Sequence, residues 1–168
     1  GEPGDMEKVS TPGIGTIDDV SAYLHIPAAA TRKALALVDG DGRPVVCFVP
    51  GDHELNDVKA EHAFGAYHLM SDEELKEYGL VKGFIGPVGL PEGVRVFFDE
   101  SLRPSEWWTI GANEADFHFV HAHPGRDFKI ADDAWVDVVT AKAGDRCPKC
   151  GAPLKEARGI EVSQVFQL

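Results

Sequence analysis

Apolar positions recur along the chain in short blocks, and the spacing within each block predicts its element. In TIDDVSAYLHIP, Ile17, Val20 and Leu24 fall at helical spacing behind Thr16, whose hydroxyl suits an N-cap, so a helix is expected over about 16–25, ending before Pro27. TRKALALVDGDGRPVVCFVPGD places two apolar runs around DGDG. Its Asp-Gly pairs supply the positive φ angles of a tight turn, which predicts a β-hairpin with a helical lead-in near 28–34. A helix over 53–63 follows. SDEELKEYG predicts another, with Ser71 and Glu74 as a capping box and Gly79 as its stop. KGFIGPVGLPEG holds four glycines and two prolines in twelve residues, which points to a shaped loop. VRVFFDE, WWTIGANEADFHFVHAH (broken at 111–113) and AWVDVVTA carry strand patterns.

Strands interleaved with short helices predict an α/β domain, a mixed sheet surrounded by short helices, over 16–142. Residues 1–15, rich in Gly and Pro, read as a linker. Residues 143–168 carry the Cys-x-x-Cys knuckle CPKCG and a strand-like GIEVSQVFQL, which suggests continuation into a larger protein.

Composition narrows the classes. With 168 residues the chain can bury one real core, and 43% hydrophobic content without an apolar run near the ~18 residues of a membrane span predicts a soluble protein with no membrane partner. Nothing in the first residues resembles a secretory leader. Three cysteines make no disulfide framework and point to a reducing compartment, the cytoplasm by default. A formal net charge of -12 argues against a stand-alone nucleic-acid binder, because phosphate contacts require clustered Lys and Arg.

The candidate chemistry is sparse. Lys59 sits among Glu54, Asp57 and Glu61, where a solvated helix face and a cation for a buried anion are both open readings. His118 alternates with Phe117 and Phe119, so it either lines a site or is a satisfied strand histidine. His121 and His123 share a face but lack a third convergent ligand, and one Cys-x-x-Cys (Cys147, Cys150) is half a zinc ribbon, so no metal is expected. Cys47, inside an apolar run, reads as a buried small hydrophobe.

GDHELNDVKAE, GFIGPVGLP, VFFDESL, GANEADFHF and CPKCGAPLKEARGIEVSQVFQL together resemble bacterial-type prolyl-tRNA synthetase, from about residue 8 to the end, in the order of its YbaK-like insertion domain. The resemblance implies a deacylase that hydrolyses alanine wrongly attached to tRNA(Pro), with the acceptor end as ligand, the rest of a homodimeric synthetase in cis, and no cofactor for editing. ATP and Mg²⁺ belong to the parent's aminoacylation core. Position by position, Lys59 matches the lysine of the family's LNxVKAE motif, Gly83, Gly86 and Pro87 the GxxxP loop, Asp99 the aspartate after the next strand, and His118 the histidine after GAN. Lys59, Asp99 and His118 are then the catalytic candidates, with Asn56, Gly83, Gly86, Pro87 and Gly111 binding substrate. RKALAL departs from the usual pattern at Ala34, where a threonine often stands. A non-catalytic module that positions the acceptor end is the alternative, and a free-standing deacylase a third.

Overall fold

The computed structural model describes residues 5–103 and 107–140. The α/β expectation holds, but the strands divide into two sheets. A three-stranded antiparallel sheet has the order β1 (Glu7–Ser10), β7 (Phe117–Ala122), β6 (Trp108–Gly111). A five-stranded mixed sheet has the order β4 (His68–Leu69), β2 (Arg32–Val38), β3 (Pro44–Pro50), β5 (Arg95–Asp99), β8 (Trp135–Val136). One isolated bridge, Thr31 to Thr109, joins the start of β2 to β6 and stitches the sheets together.

β3 is the structural centre. It pairs antiparallel with β2 and parallel with β5, and its residues from Val45 to Pro50 are all buried. A strand covered on both faces reads as a continuous apolar run, which is why PVVCFVP lacks alternation. One face of the sheet packs Val46, Phe48 and Phe98 against Trp108 and Ile110 of the smaller sheet, and Phe48 stacks on Phe98 at 5.4 Å. The other packs Leu37, Val45, Cys47 and Val49 against Ala60 and Phe64 of the helix α2 (Asp57–Phe64). Each such side chain contributes about 1.5–3 kcal/mol of hydrophobic stabilisation.

Local signals placed the helices. Thr16 Oγ1 accepts the Asp19 N–H at the head of α1 (Ile17–Leu24), and Ser71 with Glu74 closes the reciprocal capping box of α3 (Asp72–Glu77). Four boundaries differ from the sequence reading. Residues 7–10, expected within a linker, pair with β7 as a strand. The helical lead-in shrinks to a 3₁₀ turn at Ala28–Ala30, because β-sheet pairing with Pro50 claims the chain from Arg32 onward. The helix expected from 53 starts at Asp57, where Asn56 caps it, and AWVDVVTA contributes only the two paired residues of β8. Residues 143–168, with both cysteines of CPKCG, lie outside the described residues.

The Gly/Pro loop over 81–93 is held to β6 by a contact that admits no side chain. A Cβ on Gly86 would stand 1.9 Å from the Gly111 carbonyl oxygen, and one on Gly111 would stand 2.2 Å from the Phe84 carbonyl carbon. Asn113, in the left-handed region at φ 57°, locks the same loop: its amide donates to the Gly86 and Val88 carbonyls at 2.7 and 2.6 Å, and its oxygen accepts the Gly86 N–H at 3.1 Å. Because the obstacles are backbone atoms, Gly86→Ala and Gly111→Ala should each cost about 2 kcal/mol or more from overpacking. A fall in Tm of roughly 5 °C or more in thermal melts is the expected outcome. An unchanged Tm would mean that the loop does not approach β6 this closely.

Candidate active site

A cavity of about 270 Å³ opens where the two sheets meet. Gly15 to Ile17 at the head of α1, Thr31 to Ala34 at the start of β2, Gly83 and Ile85 of the loop, Thr109 and Gly111 of β6, and His118 of β7 form its wall. The glycines bring backbone to that wall. Gly83 adopts φ +86°, outside the range L side chains favour, and a Cβ there would stand 3.1 Å from the Gly15 Cα.

No aspartate or glutamate lines the cavity, but two cations do. Lys33 keeps 28% of its side chain exposed, donating to the His53 carbonyl at 2.9 Å and reaching Glu54 at 3.4 Å. Arg32 is buried over the Trp108 ring, 4.7 Å from its centroid. Burial lowers the Arg32 pKa to about 10, with Asp52 opposing the shift, so the guanidinium stays charged at neutral pH.

His118 is buried opposite Gly111, between β6 and β1, with its ring 5.2 Å from that of Phe84. Desolvation lowers its pKa to about 4, so the imidazole is neutral at physiological pH. Its Nδ1 shares a 2.7 Å hydrogen bond with Thr11 Oγ1, a residue from the stretch expected to be linker.

Of the residues singled out from the sequence, Gly83, Gly111 and His118 come together on this wall, and Lys59, Asp99, Asn56, Gly86 and Pro87 do not line it. The Lys59 ammonium is occupied elsewhere, donating to Asp137 at 3.1 Å and to the Val139 carbonyl at 3.0 Å. Asp99 is a structural clamp: one oxygen caps the turn at Glu100–Leu102 by accepting the Ser101 N–H at 2.9 Å, and the other accepts the Val138 N–H at 2.8 Å. Asn56 caps α2 by accepting the Lys59 N–H at 3.1 Å. Gly86 serves the close approach to β6.

Arg32, Lys33, Thr31 and Thr109 were missed. The signal for the first was present: Arg32 alternates with Ala34 and Ala36, a strand face packed on the core, where a cation is out of place. Among the described residues, no group of three His, Cys, Asp or Glu is placed to hold a metal. His123 instead turns Nδ1 to the Pro124 carbonyl at 2.7 Å and packs its ring on Trp107. No helix among the described residues is long and apolar enough to cross a membrane.

Comparison with known proteins agrees with this architecture. Proline--tRNA ligase from Persephonella marina is 42% identical over 97% of this chain, and that from Aquifex aeolicus 39% identical over 97%. The chain spans 29% of the length of each. Among solved structures, a hypothetical protein superposes with a TM-score of 0.68 at 21% identity, covering 81% of this chain and 92% of its own. A proposed trans-editing enzyme for prolyl tRNA synthetase superposes with a TM-score of 0.63 at 18% identity, covering 81% and 87%. These two likenesses concern the fold. Residues 11–128, which hold both sheets' principal strands and the whole cavity wall, match the aminoacyl-tRNA editing domain, and the chain belongs to that family.

Proposed function

We propose that the chain is the editing segment of a proline–tRNA ligase and hydrolyses the ester of alanyl-tRNA(Pro) after transfer. The observation that carries the reading is the cavity's charge: two cations and a neutral histidine, with no carboxylate on the wall, in a protein whose formal net charge is -12. Such a pocket suits a group bearing phosphate or developing negative charge. With 28 acidic against 16 basic side chains the chain as a whole repels a polyanion, so the remaining ligase, in cis, supplies most of the tRNA contact and raises the local concentration of the 3′ end. Aminoacylation, with its ATP and Mg²⁺, belongs to that remainder.

Lys33, the less buried of the two cations, is suited to the terminal phosphate or ribose once its ammonium turns from the His53 carbonyl and Glu54, a charge-assisted contact. The backbone at Gly83 and Gly111 lets substrate approach without meeting a Cβ. His118, neutral and fixed by Thr11, is a wall and a hydrogen-bonding group, not a cation. Size gives the specificity. A synthetic pocket shaped for proline discriminates against a smaller side chain by only roughly 1–3 kcal/mol per missing methylene, so alanine leaks through it. A wall made of backbone at Gly83 and Gly111 is suited to the reverse, because a pyrrolidine ring pressed against close-packed backbone meets a surface that cannot give way.

Incubating the chain with alanyl-tRNA(Pro) and prolyl-tRNA(Pro) tests the reading; ester loss from the first and survival of the second is the expected result. Equal survival of both would leave only a positioning module. Lys33→Ala should lower kcat/KM for deacylation about 10-fold or more, the scale of a lost hydrogen bond to a charged group. Lys59→Ala should leave deacylation near the parent rate and reduce stability by ~0–1 kcal/mol, the worth of an exposed ion pair. The opposite pattern in the two rate constants would return the role to Lys59.

The depressed His118 pKa has a stability consequence. Between about 6.5 and about 4 the unfolded chain binds this proton more tightly than the folded one, so unfolding is favoured as pH falls through that window and unaffected above it. Thermal melts at pH 7.5 and pH 5 should show a larger loss for the parent than for His118→Gln. Parallel losses would mean that His118 titrates as a solvated histidine.

A further inference from the structure

Of the two cations on the cavity wall, Arg32 is the buried one, 5% exposed. Its Nη1 donates to the Ala29 carbonyl at 2.7 Å and the Thr31 carbonyl at 3.0 Å, while Nε has no partner. Among the described residues no carboxylate forms an ion pair with it, and the charge of Asp52 offsets part of the cost of its burial. The face of the guanidinium is taken by Trp108, and its buried Nε has no acceptor among the described residues. Burying a cation with no counter-ion is expensive, and cores remove such groups unless something else completes the site. The planar edge of a guanidinium matches the two oxygens of a carboxyl group.

We propose that Arg32 is a catalytic residue that holds the acyl oxygen of the substrate ester and, after cleavage, the carboxylate of the released amino acid. The inference rests on the deacylase reading above. In the step, the water oxygen bonds to the ester carbonyl carbon and the carbonyl oxygen takes up negative charge beside the guanidinium. The bond from that carbon to the ribose oxygen then breaks. One water proton ends on the ribose oxygen and the other leaves for solvent, so the acid product is a carboxylate, the anion that the guanidinium on the wall holds. The division of labour follows burial: Lys33, the more exposed cation, is left for the phosphate or ribose, and the buried fork for the small acyl group that reaches deepest. The lowered pKa of about 10 leaves Arg32 charged across the working range, so its hold on an oxyanion is pH-independent there.

Two variants and one titration decide the matter. With alanyl-tRNA(Pro), Arg32→Met should lower kcat about 10²–10³-fold with KM little changed, and Arg32→Lys should recover part of the loss. The Tm of Arg32→Met should stay level or rise, since replacing a buried unpaired cation with an apolar chain of similar length is neutral or stabilising. A retained kcat overturns the proposal, and so does a raised KM at unchanged kcat, which would make Arg32 a ground-state phosphate contact. Separately, the Trp108 indole resonance of the unaltered chain should shift with millimolar L-alanine, not with L-alaninamide, and not at all in Arg32→Met. No shift with L-alanine, or an equal shift with the amide, overturns carboxylate capture whatever the variants do. Failure of the unaltered chain to cleave alanyl-tRNA(Pro) would overturn the deacylase reading and the catalytic role together, and the titration would still decide whether the guanidinium takes a carboxylate.

Discussion

Backbone lies against backbone at Gly86 and Gly111, and the rest of the site depends on that contact. The loop over 81–93 has no regular secondary structure to hold it, and it reaches the smaller sheet only because neither residue carries a Cβ. Once there, Asn113 satisfies its freed carbonyls, Phe84 covers His118, and Gly83 meets Gly15. Five separate stretches of chain thus close one cavity. A side chain at either glycine would push the loop outward by the width of a methyl group and open the cavity wall by that distance.

The electrostatics follow a similar economy. The chain is acidic, yet the cavity wall carries Arg32 and Lys33 and no carboxylate. Screening confines the field of such a pair to roughly 8 Å at physiological ionic strength, so these cations act on what is already in the pocket.

What could be read from the sequence was what is decided locally. Caps at Thr16 and Ser71, the Asp-Gly turn between β2 and β3, and the breakers of the 81–93 loop each state their structure within a few residues. β1 was illegible because EKVS has a single apolar residue and its partner, β7, is more than a hundred positions away. The cavity wall was half legible. Gly83, Gly111 and His118, named by motif, stand on it, whereas Lys59, named by the motif richest in charge, stands away from it. Yet a lysine three residues into a helix finds whatever acid its tertiary neighbours offer, and Asp137, 78 positions away, offers one. Nothing local to residue 59 discloses that. Lys33 and Arg32 owe their placement to the pairing of β2 with β3 and the bridge to Thr109, both tertiary facts.

His118 shows how the N-terminal stretch becomes part of the site. A neutral imidazole buried in a strand must have its ring nitrogens placed, because an unsatisfied one costs as much as a lost hydrogen bond. Thr11 satisfies Nδ1, and Thr11 is held in turn by the Asp116 carbonyl, which accepts its N–H at 2.8 Å. Asp116 adopts φ 72° to make this turn, and its carboxylate accepts the Gly13 N–H at 2.9 Å. The chain leaving β1 is therefore fixed residue by residue until Gly15 reaches Gly83. A segment whose composition reads as linker is in fact the strap that orients the histidine and closes the cavity on one side. Pro12 and Gly13 serve a tight turn there, as the glycines and prolines do in the loop it meets.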